Sequence, residues 1–272
     1  MNKGILSLVF SNAILFGCNS TLLAEEKPLW EFGAGISTLY HPHYLGSSQE
    51  RAYALPIPFI NYHGKLIRAD RNGVRGLIYD SEKLDLNLSF SGSLPVNSRD
   101  NEAREGMDDL DLMLEVGPTL QYQIHNSDRH LLRADFPVRG GFTVGDEFMG
   151  YQGWTTNPRL HHEMDVNRWK LTTTFGPVFS SSRYHGYIYD IDTQDVRPGR
   201  EYYKSDSGYT ATRFSTGLKR RLGDYFVAGK LTYYNLNGAS NEDSPLIKKS
   251  EYFGVSLVFV WVFGQSDRTV ND

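Results

Sequence analysis

Between Leu110 and Ile124 the chain alternates without a break. Leu110, Leu112, Leu114, Val116, Pro118, Leu120, Tyr122 and Ile124 hold the even positions, and Asp111, Met113, Glu115, Gly117, Thr119, Gln121 and Gln123 the odd ones. A helix would bring Asp111 and Leu114 onto one face, whereas an extended strand puts them on opposite faces. The same period of two runs through Trp30–Tyr40, Leu84–Phe90, Leu132–Phe142, Trp169–Phe179 and Phe253–Phe263. No window of comparable length has helical periodicity. A chain patterned this way must build sheet, and the remaining question is which face of the sheet meets what.

Twelve segments read as strands: 29–40, 51–63, 64–70, 74–80, 83–93, 110–124, 130–144, 155–166, 168–181, 209–222, 225–236 and 250–263. Their connections alternate. The links 41–50, 94–109, 145–154, 182–208 and 237–249 are long, with 71–73 the exception. The links near His63-Gly64, Asp80–Lys83, His125–Arg129, Asn167 and Gly223-Asp224 are tight. One rim of long loops and one of short turns is the plan of an outer-membrane barrel. The main strands also exceed the roughly 9–11 residues that a tilted membrane strand needs. Five prolines, Pro56, Pro58, Pro118, Pro137 and Pro177, fall inside these segments. A proline removes a ladder hydrogen bond, so the boundaries near 56–58 are the weakest.

The polar face carries Asp85, Asp111, Glu115, Arg133, Asp135, Arg139, Glu163, Lys170 and Arg213. A dry core could not take so many charges, but a wet or ion-paired lumen can. On the apolar face, Trp30, Tyr122, Trp169, Tyr225, Trp261 and Phe263 gather at the turn rim, and Tyr40, Phe142, Phe179 and Phe253 at the loop rim. Two aromatic girdles are expected where a barrel crosses both membrane interfaces. The expected fold is therefore all-β: a transmembrane, antiparallel, up-and-down β-barrel of about twelve strands, with ten the alternative. Its partners would be the lipid bilayer and lipopolysaccharide. Mean hydropathy of -0.43 excludes several apolar helical spans but not such a barrel. A formal charge of -4 leaves no basic excess for nucleic acid.

The first residues read as an address. Lys3, an apolar stretch Ile5–Phe16 and Leu22-Leu23-Ala24 form a secretory signal peptide cut after Ala24. The rival is a lipobox, Leu15-Phe16-Gly17-Cys18, which would leave Cys18 lipidated; a chain held by a barrel has no need of that anchor. The organisation expected is residues 1–24 as signal peptide and 25–272 as one barrel domain ending in a polar tail, 264–272. Loss of the lone cysteine with the leader suits an oxidising compartment.

Catalytic arrangements are weak. His161, Glu163 and Asp165 share the lumen face with His162 opposite, and a solvated strand end explains them better than a metal or acid–base site. Ser181, Ser182 and His185 lie together in a long loop without a matching acid. Asp190, Asp192 and Asp195 lack the glycine and closing glutamate of a calcium loop. The acidic run Asp100–Asp111 reads as a solvated external loop, with cation-bridged contact to lipopolysaccharide a weaker option. No catalytic, cofactor-binding or metal-binding residue is assigned. Glu115, Arg133, Asp135, Arg139 and Arg213 are the candidate lumen lining, in which mixed signs favour paired ladders over an open pore.

Three segments carry a further signal, and the second and third do not follow from alternation. Phe32-Gly33-Ala34-Gly35 precedes His41-Pro42 and Tyr44-Leu45-Gly46-Ser47; Leu55-Pro56-Ile57-Pro58-Phe59-Ile60-Asn61-Tyr62-His63-Gly64 holds a P-x-P-x-I-N-Y-x-G core; and Asp243-Ser244-Pro245-Leu246-Ile247-Lys248-Lys249-Ser250 leads into the final strand. In these the chain resembles the MipA/OmpV family of outer-membrane proteins over nearly its whole mature length. The resemblance implies a non-catalytic scaffold in the outer membrane of a Gram-negative cell. Its implied partners are a lytic transglycosylase and a murein synthase, met at the turn rim and the tail. A narrow channel for small polar solutes is the alternative, and a barrel lipid or peptide hydrolase the least favoured reading. The final strand, with Trp261 and Phe263, is the candidate signal for the barrel-assembly machinery, although Gly264–Asp272 run on beyond the terminal aromatic where the family pattern ends.

Overall fold

In the computed structural model the described residues are 27–63, 67–70, 73–81, 83–145 and 148–270. The expected leader and Cys18 lie outside them. In chain order the strands are β1 (Lys27–Pro28), β2 (Trp30–Pro42), β3 (Glu50–His63), β4 (Ile67–Asp70), β5 (Gly73–Asp80), β6 (Leu84–Ser93), β7 (Leu112–Asn126) and β8 (His130–Val144). There follow β9 (Phe148–Thr156), β10 (Arg159–Val166), β11 (Trp169–Ser180), a helix α1 (Ser182–Tyr189), β12 (Gly208–Leu222), β13 (Tyr225–Asn235), β14 (Glu251–Gln265) and β15 (Thr269–Val270).

From β2 to β14 neighbouring strands pair antiparallel, except that β9 and β10 do not pair with each other, and β14 closes onto β2. β9 and β10 are two halves of one strand position, both lying between β8 and β11. Counted that way, the described residues form a closed up-and-down barrel of twelve strand positions.

The faces are reversed relative to a soluble protein. Along β7, Leu114, Leu120 and Tyr122 are exposed while Glu115, Thr119 and Gln121 between them are buried. The outer surface carries Ile36, Phe90, Phe175, Phe253, Leu257 and Phe259, all more than half exposed. Among the described residues, an apolar belt of this kind is a lipid contact and not a water-facing surface. Ring pairs sit at its edges: Trp30 stacks on Phe32 and Trp261 tilts against Phe263 at the turn rim, and Tyr233 meets Phe253 at the loop rim.

All five prolines stand inside strands. Pro56 and Pro58 pair with Ile36 and Ala34 without a register shift, so their nitrogens face the other edge of β3. There, among the described residues, β4 pairs only with Tyr62 and His63. The β7–β8 ladder skips Gly117 and Pro118. Pro137 and Pro177 lie beside the break at Asn157-Pro158, where the Asn157 side-chain amide donates to the Pro177 carbonyl at 2.7 Å.

Four expectations need correction. The expected long link 145–154 is mostly strand, because β9 extends the segment expected at 155–166 upward beyond the Asn157-Pro158 break. A helix, α1, forms where none was expected: eight residues are too few to show a period, and Ser181 caps it locally by accepting from the Tyr184 amide. The run Asp100–Asp111 is no freely solvated loop, since Asn101, Arg104 and Leu110 in it are buried. The last strand does not stop at Phe263. Phe263 sits on a bulge between Val262 and Gly264, Gly264 and Gln265 still pair with β2, and β15 turns back to pair with β1.

Candidate functional site: the lumen and its loop cap

At the long-loop rim the connections 43–49, 94–111, 181–207 and 236–250 interlock across the mouth. Tyr44, Val96, Leu110, Tyr189, Ile191 and Leu246, from all four connections, form one apolar cluster. Backbone carbonyls are satisfied across it. The Tyr44 hydroxyl donates to Leu246 at 2.9 Å, the Tyr189 hydroxyl to Leu45 at 2.8 Å, and Ser244 to Tyr189 at 3.0 Å. The buried Arg104 guanidinium donates to Ile188 at 2.6 Å and to Asp108 at 3.0 Å. Arg200 donates to Ala103 and Glu105 at 3.1 and 3.0 Å. Burial pushes the Tyr44 phenol up to about 12 and raises that of Tyr189, so both remain donors at neutral pH.

Helix α1 hangs from this cap toward the lumen. The Ser181 hydroxyl accepts from the amides of Trp154 and Tyr184, seating the helix on β9. Gly153 makes the seat possible. Its φ is +101°, and a Cβ there would fall 2.3 Å from the Ser181 hydroxyl and 2.8 Å from the Tyr184 nitrogen. The Tyr184 hydroxyl reaches the Glu115 carboxylate at 2.7 Å. His185 lies between the Asp206 carbonyl (2.7 Å) and the Thr210 hydroxyl (2.8 Å), and burial lowers its pKa. Thus Ser181 is a helix cap, and the His185 imidazole is held by Asp206 and Thr210 and not by the neighbouring serines.

Below the cap the lumen is a polar network. Asp135, fully buried, accepts from Arg133 Nε at 2.8 Å and pairs with Arg159 at 3.2 Å. Gln121 donates to it at 3.3 Å and accepts from Asn87 at 2.7 Å. Arg139 Nε donates to Ser89 at 2.9 Å. Pairing this complete is what lets a carboxylate stand in the wall interior. Nearer the turn rim Glu163 is held by His161 at 3.0 Å, Lys170 at 3.6 Å and Lys219 at 3.8 Å. His161 and Glu163 are buried, so they are not a solvated strand end, while Asp165 stays exposed beside Lys170. His162 faces outward and stacks on His130.

Two lumen cavities of about 420 and 410 Å³ share Arg139, Arg213 and Lys230 in their walls. Of the candidate lining, Glu115, Arg139 and Arg213 face the upper cavity and Arg133 the lower, with Asp135 buried behind its arginines. Sequence reasoning missed Arg159, Lys219 and Lys230. Arg159 and Lys219 share strand parity with His161 and Arg213, already placed inside, and Lys230 has the parity opposite to Tyr225, placed outside, so extending the alternation by a few residues would have found them. Trp261 and Phe263 are exposed on the outer face at the turn rim. The Asp190 and Asp192 carboxylates are bridged by Lys204 at 3.1 and 2.7 Å. Among the described residues no group of three or more His, Cys, Asp and Glu side chains could hold a metal ion.

A family model described as MltA-interacting protein MipA matches residues 34–263. No curated protein matches the chain. Among solved structures, a bacterial polysaccharide outer-membrane secretin is similar at 10% identity, covering 87% of this chain and 99% of that one, with a TM-score of 0.41. An outer-membrane channel from Pseudomonas putida F1 is similar at 13% identity, covering 88% and 98%, with a TM-score of 0.36. A toluene transporter from Ralstonia pickettii follows at 10% identity, covering 89% and 71%, with a TM-score of 0.27.

Proposed function

The chain belongs to the MltA-interacting protein MipA family and is an outer-membrane β-barrel, and from that premise we propose that it is a non-catalytic anchor for murein-remodelling enzymes in the periplasm. The observation that carries this reading is the interlocked cap. Four connections close over one mouth through buried side-chain-to-carbonyl bonds, and α1 descends from them onto Glu115. A barrel stoppered in this way is built to hold its shape in the membrane more than to pass solute. Its working surface is then the turn rim, where β1 and β15 join the two ends of the described residues into a short ribbon. The partners are a lytic transglycosylase, as the family's description suggests, and a murein synthase.

Purification of the full chain from detergent-solubilised outer membranes tests this. Both enzymes should be recovered with it, and truncation after Gln265 should reduce their recovery while the barrel stays folded. Recovery of neither enzyme, under conditions that retain a known complex, would sink the reading. The lumen cavities favour a second one, a narrow channel for small polar solutes, which electrical recording separates from the first.

A further inference from the structure

β8, β10, β12 and β13 send Arg139, Arg159, Arg213 and Lys230 into the lumen, each within electrostatic range of others in the group. Two carboxylates, Glu115 and Asp135, lie within electrostatic range of Arg139. Neither is spare. Asp135 already holds Arg133 and Arg159, and Glu115 accepts the Tyr184 hydroxyl. Glu163, nearer the turn rim, is surrounded by its own cations.

Arg213 and Lys230 are left without a carboxylate partner among the described residues. Arg213 lies over the Tyr234 ring at 5.5 Å, and its buried Nε has no hydrogen-bond acceptor. Lys230 stands opposite Gly217, a position with no side chain to meet it. Both groups, with Arg139, border the upper and the lower cavity at once. Like charges held together in a confined space repel, and an unsatisfied guanidinium donor is costly. The repulsion is relieved if an anion completes the group.

We propose that the lumen holds a small oxyanion, of phosphate or carboxylate type, between Arg213, Lys230 and Arg139. Arginine presents a planar fork that matches two oxygens of such an anion, and lysine adds a point charge. Ser215 and Thr174, whose hydroxyls lie 2.7 Å apart in the lower cavity wall, can donate to a third oxygen. Cavities of this size admit phosphate with part of its hydration. The site stands whether or not the barrel docks an enzyme at its rim, because it depends only on the lumen.

Calorimetric titration of the full chain in zwitterionic detergent with inorganic phosphate, at constant ionic strength and with chloride as the reference, tests it. A second titration with acetate separates phosphate from carboxylate preference; saturable binding of either supports the site. Arg213→Gln and Lys230→Gln should each weaken binding about tenfold or more, the scale of one charge-assisted hydrogen bond. Lys230→Arg keeps the charge and should retain binding, as should Lys204→Gln, whose lysine is engaged by Asp190 and Asp192 in the loop cap. Heat-modifiable migration identifies the folded variants, and either glutamine variant alone suffices. The proposal is overturned if the wild type binds neither anion saturably. It is equally overturned if a folded Arg213→Gln or Lys230→Gln protein binds as tightly as the wild type.

Discussion

The Tyr184 hydroxyl donates to the Glu115 carboxylate at 2.7 Å, tying the one α-helix among the described residues to the inner wall of β7. Burial and the neighbouring carboxylate both raise the Tyr184 pKa, so the phenol stays protonated and the bond persists at any physiological pH. Through this contact the loop cap and the lumen network are one structure. A disturbance at either end should be felt at the other.

The outward face is the most exposed to test. Leu257 lies at mid-strand in β14, opposite Gly229 and Thr38, and is 56% exposed. In water Leu257→Arg would be close to neutral, within about 0.5 kcal/mol. In a bilayer an arginine near the midplane costs about 2–4 kcal/mol. Equilibrium unfolding from lipid vesicles should show the larger loss, and a change under 0.5 kcal/mol would contradict a lipid-facing Leu257.

The cap should open before the barrel does. Tyr189 is fully buried, packs edge-on against Tyr44 and donates to the Leu45 carbonyl. Truncating such an aromatic costs about 3–5 kcal/mol, and here the loss falls on the loops. Protease added to whole cells should cut Tyr189→Ala within 181–207 or 236–250 and spare the wild type, with heat-modifiable migration retained in both. Equal protection of the two proteins would mean that the cap does not depend on this residue.

Acid should loosen the cap in the same way. Burial lowers the folded-state pKa of His185 below about 6.5, its value in the unfolded chain. The unfolded state therefore binds the proton more readily, and stability falls as the pH drops below about 6.5. His43, half-buried among Arg51, Asp100 and His41, shifts in the same direction, again chiefly through burial. Protease sensitivity of the loops should rise between pH 7.5 and 5.5. His185→Gln should flatten that rise, and a variant that keeps the full pH dependence would clear His185 of responsibility.

How much of this could be read in advance follows the physics of each element. The period of two fixed β7, β8, β11, β12 and β14 closely, because a one-residue slip there would turn charges toward lipid. The same parity placed Glu115, Arg133, Asp135, Arg139 and Arg213 on the inward face. Pro56 and Pro58 looked like obstacles only because a sequence does not say which edge of β3 lacks a ladder partner. The cap was not legible at all. Arg104 and Arg200 are charged residues in polar loops, and nothing local reveals that their donors meet the carbonyls of Ile188 and Ala103, more than 80 residues away in sequence. Helix α1 was hidden for a related reason: its place depends on Gly153 and on Glu115, both far from it in the chain.

A closed mouth is the central claim, and electrical recording tests it most directly. The full chain is inserted into a planar bilayer beside a known porin that confirms insertion. A second form has Ser182–Tyr189 replaced by glycine and serine. The wild type should leave the membrane silent, and the form without α1 should give steady, ohmic steps. Steady ohmic steps from the wild type, no larger once the helix is removed, would contradict the account.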